Sequence, residues 1–241
     1  MHGILYSLGL GFLVFTADFL KPDALFLQRE NNPDAISEAR ALYENILNHS
    51  PDTVDGIRAM NQLGKLAYYE GELLTPLEDD DKRKEIFAHT QVLAEKAGSA
   101  YWKALSLALW CQSAGSIAAW WYIDDFKEAA ERALLEDQQT DGGGIYRLLA
   151  AVYVKSPELK RYGLYQPELA LGYIEKALKI SPEHLDAYFV KASVLKALGR
   201  LEEGKQLLKD ILAKPLPVTE LEPENKIVLK RMAEKLNRWS K

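Results

Sequence analysis

The stretch "AISEARALYENILNHSP" carries apolar side chains at Ile36, Ala39, Leu42, Tyr43, Ile46 and Leu47. Steps of three and four residues put these positions on one face of a helix. The same spacing recurs along nearly the whole chain, and the period-two alternation of strands is almost absent. Helix starts are marked by a cap residue followed by proline: Asn32-Pro33, Ser50-Pro51 and Ser181-Pro182. A cap side chain bonds early backbone amides, and proline at the first helical position loses no hydrogen bond. Gly71, Gly98 and Gly199 are placed to close helices. The pattern predicts an all-α chain of about ten helices, each of roughly 12 to 20 residues, joined by short loops.

The helices repeat in pairs. The clearest unit is "LDAYFVKASVLKALGRLEEGKQLLKDIL", residues 185–212. Tyr188, Ala192 and Leu195 mark its first helix, Leu198-Gly199 its turn, and Gly204, Leu208 and Ile211 its second helix. This unit resembles the tetratricopeptide repeat (TPR), a helical hairpin of about 34 residues. Lys191 departs from the usual leucine, and Ile211 is larger than the usual alanine. "NQLGKLAYYEG" repeats the first-helix signature with Leu63, Gly64 and Ala67. "ARALYENILNHSP" and "LALGYIEKALKISP" repeat the second, with Ala39, Tyr43 and Ile46, then Ala170, Ile174 and Ala177. Small residues let paired helices approach, and bulky ones fill the gap to the next hairpin. The resemblance implies a right-handed superhelix of TPR-like hairpins in one domain, residues 18–241. Five units are expected, at 20–51, 52–98, 99–140, 141–182 and 183–215, the first and third degenerate. A capping helix over 223–239 should turn Leu229, Met232, Ala233 and Leu236 inward, leaving Lys226, Lys230, Arg231, Lys235 and Arg238 on its polar face.

Composition narrows the function. Among 241 residues the net charge is −5, and basic residues do not cluster, so nothing marks a nucleic-acid partner. The single cysteine, Cys111, excludes an internal disulfide framework and sits in an apolar helical context. Ile4 to Phe15 carries no charge. That length suits a secretory signal peptide over 1–17 and is too short to span a bilayer. The other reading is a first apolar helix of the fold. No cysteine follows the run to carry a lipid anchor.

Three features invite a chemical reading. "DGGGIYRLL" runs three glycines into a helix, as phosphate-cradling loops do. Yet no Lys-Ser/Thr pair follows Gly144, and the segment before it is helical rather than a strand. The repeat register makes it the joint between the third and fourth hairpins, with Tyr146 and Arg147 as wall residues of a groove. The second feature is aromatic. Tyr101, Trp102, Trp110, Trp120, Trp121 and Tyr122 lie within about two helices. Trp120 and Trp121 differ by roughly 100° around the axis, so they cannot all point into one core. The third is a pair of insertions, "LLTPLEDDDKR" and "KSPELKRYGLYQ", the latter bringing Tyr162 and Tyr165. The candidate ligand- or partner-binding residues are therefore Tyr101, Trp102, Trp120, Trp121, Tyr122, Tyr146, Arg147, Tyr162 and Tyr165. The four histidines lack metal-ligand spacing, and Asp79–Asp81 and Asp124-Asp125 read as helix caps. No nucleophile–base arrangement can be assembled, so the expectation is a protein without catalysis, metal or cofactor.

The order "ARALYENIL", "GKLAYYEGEL", "AEKAGSAYWKALSLAL", "DGGGIYRLLAAVYVKSP" and "ALGYIEKALKISPEHLDAYFVKASVLKALGR" is similar to the T component of TRAP-type solute transporters. That resemblance implies a periplasmic helical array with a hydrophobic cleft, partnered by a substrate-binding protein, and an accessory role in solute uptake. Other partners are an apolar small molecule or a second copy of the chain. The rival reading is a cytosolic adaptor gripping peptide segments, for which Asn61, Lys65 and Lys191 are the groove candidates. A third is a nucleotide binder built on the glycine turn.

Overall fold

Asn32, Thr53 and Asp79 each turn a side-chain oxygen onto a backbone amide two or three residues ahead: Asp34, Gly56 and Lys82. These caps start three of the helices in a computed structural model that describes residues 17–155, 157–216 and 219–240. The order is α1 (Ala17–Leu27), α2 (Pro33–His49), α3 (Val54–Tyr68), a π-helical turn (Tyr69–Leu74), α4 (Asp80–Lys96), α5 (Ala100–Ala114) and α6 (Ser116–Trp121). There follow α7 (Ile123–Glu136), α8 (Gly144–Val152), a 3₁₀ turn (Pro157–Tyr162), α9 (Pro167–Ile180), α10 (Leu185–Ala197), α11 (Leu201–Leu212) and α12 (Glu222–Trp239). No strand occurs among the described residues. The fold is all-α, built of helical hairpins. The apolar segment read as a signal peptide lies outside the described residues, apart from Ala17.

Successive helices pack side by side, α1 on α2, α2 on α3, α4 on α5, α5 on α7, α8 on α9 and α10 on α11, while α3 and α4 touch less across the π-helical turn. Close approach follows from glycine where the sequence placed it. A Cβ on Gly64 would lie 2.2 Å from the Trp102 ring, so α3 and α5 meet there with no room for a side chain. Trp102 is fully buried and donates its indole N–H to Asn61 Oδ1 at 2.8 Å. A main core runs from Phe19 and Tyr43 through Leu66, Trp102, Ala133, Ile145 and Ile174 to Val194. A second, smaller cluster holds Leu185, Ala192, Leu208 and Ile211 against Val228 and Met232 of α12.

Two helix starts differ from expectation. Ser50 closes α2, its amide donating to Ile46 O, and α3 begins at Val54 behind the Thr53 cap. Ser181 likewise closes α9, and α10 begins at Leu185. Ser-Pro here ends a helix and leads the turn: the residue before proline is driven out of the helical region. Gly71 does not end a helix either; it is buried inside the π-helical turn, where a Cβ would lie 2.7 Å from Phe87. Gly98 and Gly199 take left-handed φ values just past α4 and α10, as helix-closing glycines do.

Candidate functional site

The glycine joint strings together three consecutive residues of left-handed backbone. Asp141, Gly142 and Gly143 all have left-handed φ, at 52°, 58° and 78°. Gly142 and Gly143 press on Ser181 and Ile180, and a Cβ on Gly144 would sit 2.3 Å from the Tyr101 ring. Buried Arg147 holds the turn from within. Its guanidinium donates to the carbonyls of Asp141 (2.8 Å) and Gly142 (2.9 Å) and to Asp141 Oδ2 (2.5 Å). Tyr101 donates its hydroxyl to the same carboxylate at 2.9 Å. The loop therefore offers carbonyls to a cation of its own chain. Burial works against the Asp141 carboxylate, but Arg147, His184, Lys65 and the Tyr101 hydroxyl together hold the carboxyl below its usual range. Tyr146 points the other way, stacking on Tyr173 with ring centroids 6.0 Å apart and donating to Gln138.

The aromatic residues divide. Tyr101 and Trp102 are core, with ring centroids 4.7 Å apart. Trp120, Trp121 and Tyr122 lie at the end of α6 and are 50%, 70% and 40% exposed. Trp120 and Trp121 meet edge to face at 4.8 Å, and Tyr122 meets Trp110 the same way at 5.2 Å. Gly115, at φ 89°, ends α5 and starts α6, which packs back on α5. Tyr162 and Tyr165 are partly buried in the 3₁₀ turn and the loop after it, which Gln166 ties back by donating its backbone N–H to Tyr153 O at 3.0 Å. The nine candidates are thus spread over at least three places: the joint, the exposed aromatic end of α6 and the 3₁₀ loop.

No sequence signal marks the contact network around α12. This helix packs on α10 and α11 and also reaches back to the start of the array. Arg29 donates to Glu224 at 2.9 and 2.6 Å, and Lys226 donates to Glu30 at 2.9 Å. Lys65 donates to Glu220, and Arg231 donates to the Glu72 carboxylate (3.2 Å) and carbonyl (2.6 Å). Lys235 donates to Ser193 Oγ at 2.5 Å and lies 3.7 Å over the Phe189 ring. Three of the five cations expected on the polar face, Lys226, Arg231 and Lys235, are therefore engaged with other elements of the fold. The reason is curvature: the array turns far enough for its first and last elements to meet, and an end cap becomes a clasp. The groups gathered there are Lys65, Tyr68, Glu72, Arg147, Asp186, Arg231 and Lys235, and they are mostly charged. Burial pushes the Asp186 carboxyl and the Tyr68 hydroxyl up. Burial chiefly, with Arg238, Lys196 and Lys155, brings Lys235 down to about 8, against the pull of Asp186.

A separate cleft of about 220 Å³ opens between α2, α3 and α4. Its rim charges are already matched: Arg40 and Lys82 with Glu70, and His89 with Glu44. Among the described residues no cluster of His, Cys, Asp and Glu could hold a metal ion, and no helix is long and apolar enough to cross a membrane. Cys111 is partly buried, and burial pushes its thiol up to about 11, which makes it a poor nucleophile at neutral pH.

Comparison with known proteins agrees with the hairpin geometry. Residues 163–215 match the tetratricopeptide repeat family. An uncharacterized protein of Methanocaldococcus jannaschii is 41% identical over 54 residues, which is 22% of this chain and 60% of that relative. The family match and the all-helical hairpin architecture together support a tetratricopeptide-repeat protein, a class of scaffold for protein–protein interaction.

Proposed function

We propose that the protein is a non-catalytic scaffold that takes a partner protein on the exposed aromatic end of α6. One observation carries this reading: Trp120, Trp121 and Tyr122 are consecutive, large and exposed at the end of the short helix α6. Tryptophan and tyrosine dominate the energetics of protein interfaces, and three such neighbours left in water mark a binding surface. The occupancy of the inner face by α12 favours recognition on the outside. The test is capture of partners from the native host by wild-type protein and by the Trp121→Ala, Tyr122→Ala double variant, with helicity followed in parallel. Loss of specific partners with unchanged helicity supports the proposal; equal capture by both proteins overturns it.

A finer reading follows from the order of sequence motifs and the uncharged Ile4–Phe15 run. In it the scaffold is exported and serves TRAP-type solute uptake, with a periplasmic solute-binding protein as the partner. N-terminal sequencing of the native protein tests export. A mature chain that still begins at Met1 in the cytosol replaces this reading with a cytosolic peptide adaptor.

A further inference from the structure

Glu72, in the π-helical turn, is held from two sides. Arg83, near the start of α4, donates Nη2 to Glu72 Oε2 at 2.8 Å, and Arg231 of α12 donates Nη1 to Oε1 at 3.2 Å. Arg83 is 1% exposed and donates Nε to Ser113 Oγ at 3.0 Å; its Nη1 is buried without a partner. Lys155, just beyond α8, donates to Gln112, the residue before Ser113, at 2.8 Å. Arg83 and Lys155 thus hang side by side on the last turn of α5. Lys235 of α12 feels the Lys155 charge as well.

The charges here do not balance. Arg147 and Asp141 form their own pair. Around Glu72 that leaves Arg83, Lys155, Arg231 and Lys235 facing two carboxyls, Glu72 and Asp186. The C-terminal ends of α5 and α8 add partial negative charge, about half a unit each, which does not cancel the excess once solvent screens it. Burial and the neighbouring Arg83 depress Lys155, although Glu72 opposes them. Excess positive charge in a partly dry place favours a bound anion, and exposed Lys155 gives the site a mouth to solvent. The cleft between α2 and α4 lacks this property, because Glu70 and Glu85 there stand against Arg40 and Lys82.

We infer that Lys155, Arg83 and Arg231 form a binding site for a small anionic ligand, carrying a phosphate or carboxylate group, at the junction of α4, α5, α8 and α12. The ligand group enters past Lys155 and takes up the unpartnered Nη1 of Arg83, beside the Arg231–Glu72 pair. Arg231 belongs to the clasping helix while the other two cations belong to the array, so the anion binds the closed arrangement and stabilises it by linkage.

Inorganic phosphate and malonate are the two probes, each titrated at constant ionic strength with chloride as the balance, with thermal stability and amide exchange of α12 as readouts. The expected result is a saturable rise in melting temperature and slower exchange in α12. Protection by phosphate alone identifies a phosphoryl ligand, protection by malonate alone a carboxylate, and by both a site reading charge only. Lys155→Gln, at an exposed position, leaves the fold intact and weakens the apparent Kd about tenfold, the loss of one charge-assisted contact. Arg231→Gln removes the effect on α12 exchange. Chloride giving the same protection as the probes, or Lys155→Gln retaining wild-type affinity, overturns the assignment.

Discussion

Arg29 and Glu224 stand 195 positions apart in the sequence and share two hydrogen bonds, at 2.9 and 2.6 Å, in a buried pair. Arg29 also donates to the carbonyls of Phe26 and Glu220 and lies 4.1 Å over the Phe26 ring. The pair fastens the turn after α1 to the first turn of α12, where a carboxylate also suits the helix N-terminus. Removing one partner leaves a buried charge without compensation. Glu224→Ala is expected to lower stability by about 3–5 kcal/mol. Chemical denaturation checks this, and amide exchange should rise first in α12 and in the turn after α1. A loss under 1 kcal/mol means that α12 is held by its apolar face alone.

Gly144 has no space for a side chain. Its Cβ would overlap the Tyr101 ring at 2.3 Å, and the ring is locked by its hydroxyl on Asp141 and by the packing of Trp102. Gly144→Ala should destabilise the protein by about 1–3 kcal/mol through overpacking. Gly98→Ala is the contrasting case. Nothing lies within 4 Å of its Cβ position, and its effect of about 1 kcal/mol comes from the left-handed backbone alone. Melting temperatures of the two variants, measured together, separate crowding from backbone strain.

His184 governs the response to acid. It is buried at the start of α10, and burial, then Arg147 and Lys65, bring its imidazole down to about 3, with Asp141 opposing. Between the unfolded value near 6.5 and the folded one, the unfolded chain takes a proton that the folded chain refuses. Stability is therefore full above about pH 6.5 and falls as pH drops toward 3, by up to about 1.4 kcal/mol per unit. The depressed Asp141 carboxyl adds loss in the same direction, below the ordinary carboxylate range. His184→Gln should flatten the slope between pH 6 and 4. An unchanged slope in denaturant titrations across that range assigns the acid loss to other groups.

Lys235 acts in the same sense in the alkaline range. With its folded value down to about 8, the neutral amine is favoured in the fold, so stability declines as pH falls from the unfolded value near 10.4 to 8 and is flat below. Lys235→Met keeps the aliphatic packing on Phe189 and removes the charge. It should raise the melting temperature at pH 7 by about 2–4 °C, the shift for about 1 kcal/mol at this size. The gain should vanish near pH 10. A lower melting temperature at pH 7 instead makes the Ser193 and Phe189 contacts the dominant effect.

Trp102 and Trp121 make the last comparison. Trp102→Ala empties a fully buried site against Gly64 and should lower stability by about 3–5 kcal/mol. Trp121→Ala, at 70% exposure, should stay within about 0.5 kcal/mol. Calorimetry on both variants shows whether the cluster divides into core and surface as described.

By itself, the sequence determined the class of fold and the units of packing. Helical periodicity, paired small and bulky residues at Gly64, Ala177 and Gly204, and closing glycines at Gly98 and Gly199 are local signals, read within one or two turns. The separation of Trp120 from Trp121 around the axis likewise required some aromatics to face water. Local signals failed where two local rules compete: Ser50-Pro51 and Ser181-Pro182 fit a cap before a helix and equally a stop after one, and the neighbouring turn decides. Only the tertiary structure decided what α12 does. Lys226, Arg231 and Lys235 carry the pattern of a solvated face, and nothing near them in sequence foretells Glu30, Glu72 or Ser193 as partners. Those contacts depend on how the small rotations between successive hairpins accumulate, which no single helix encodes. For the same reason Arg83, one of several charges at the start of α4, becomes a buried arginine with an unused donor once Ser113 of α5 and Glu72 of the π-helical turn close on it.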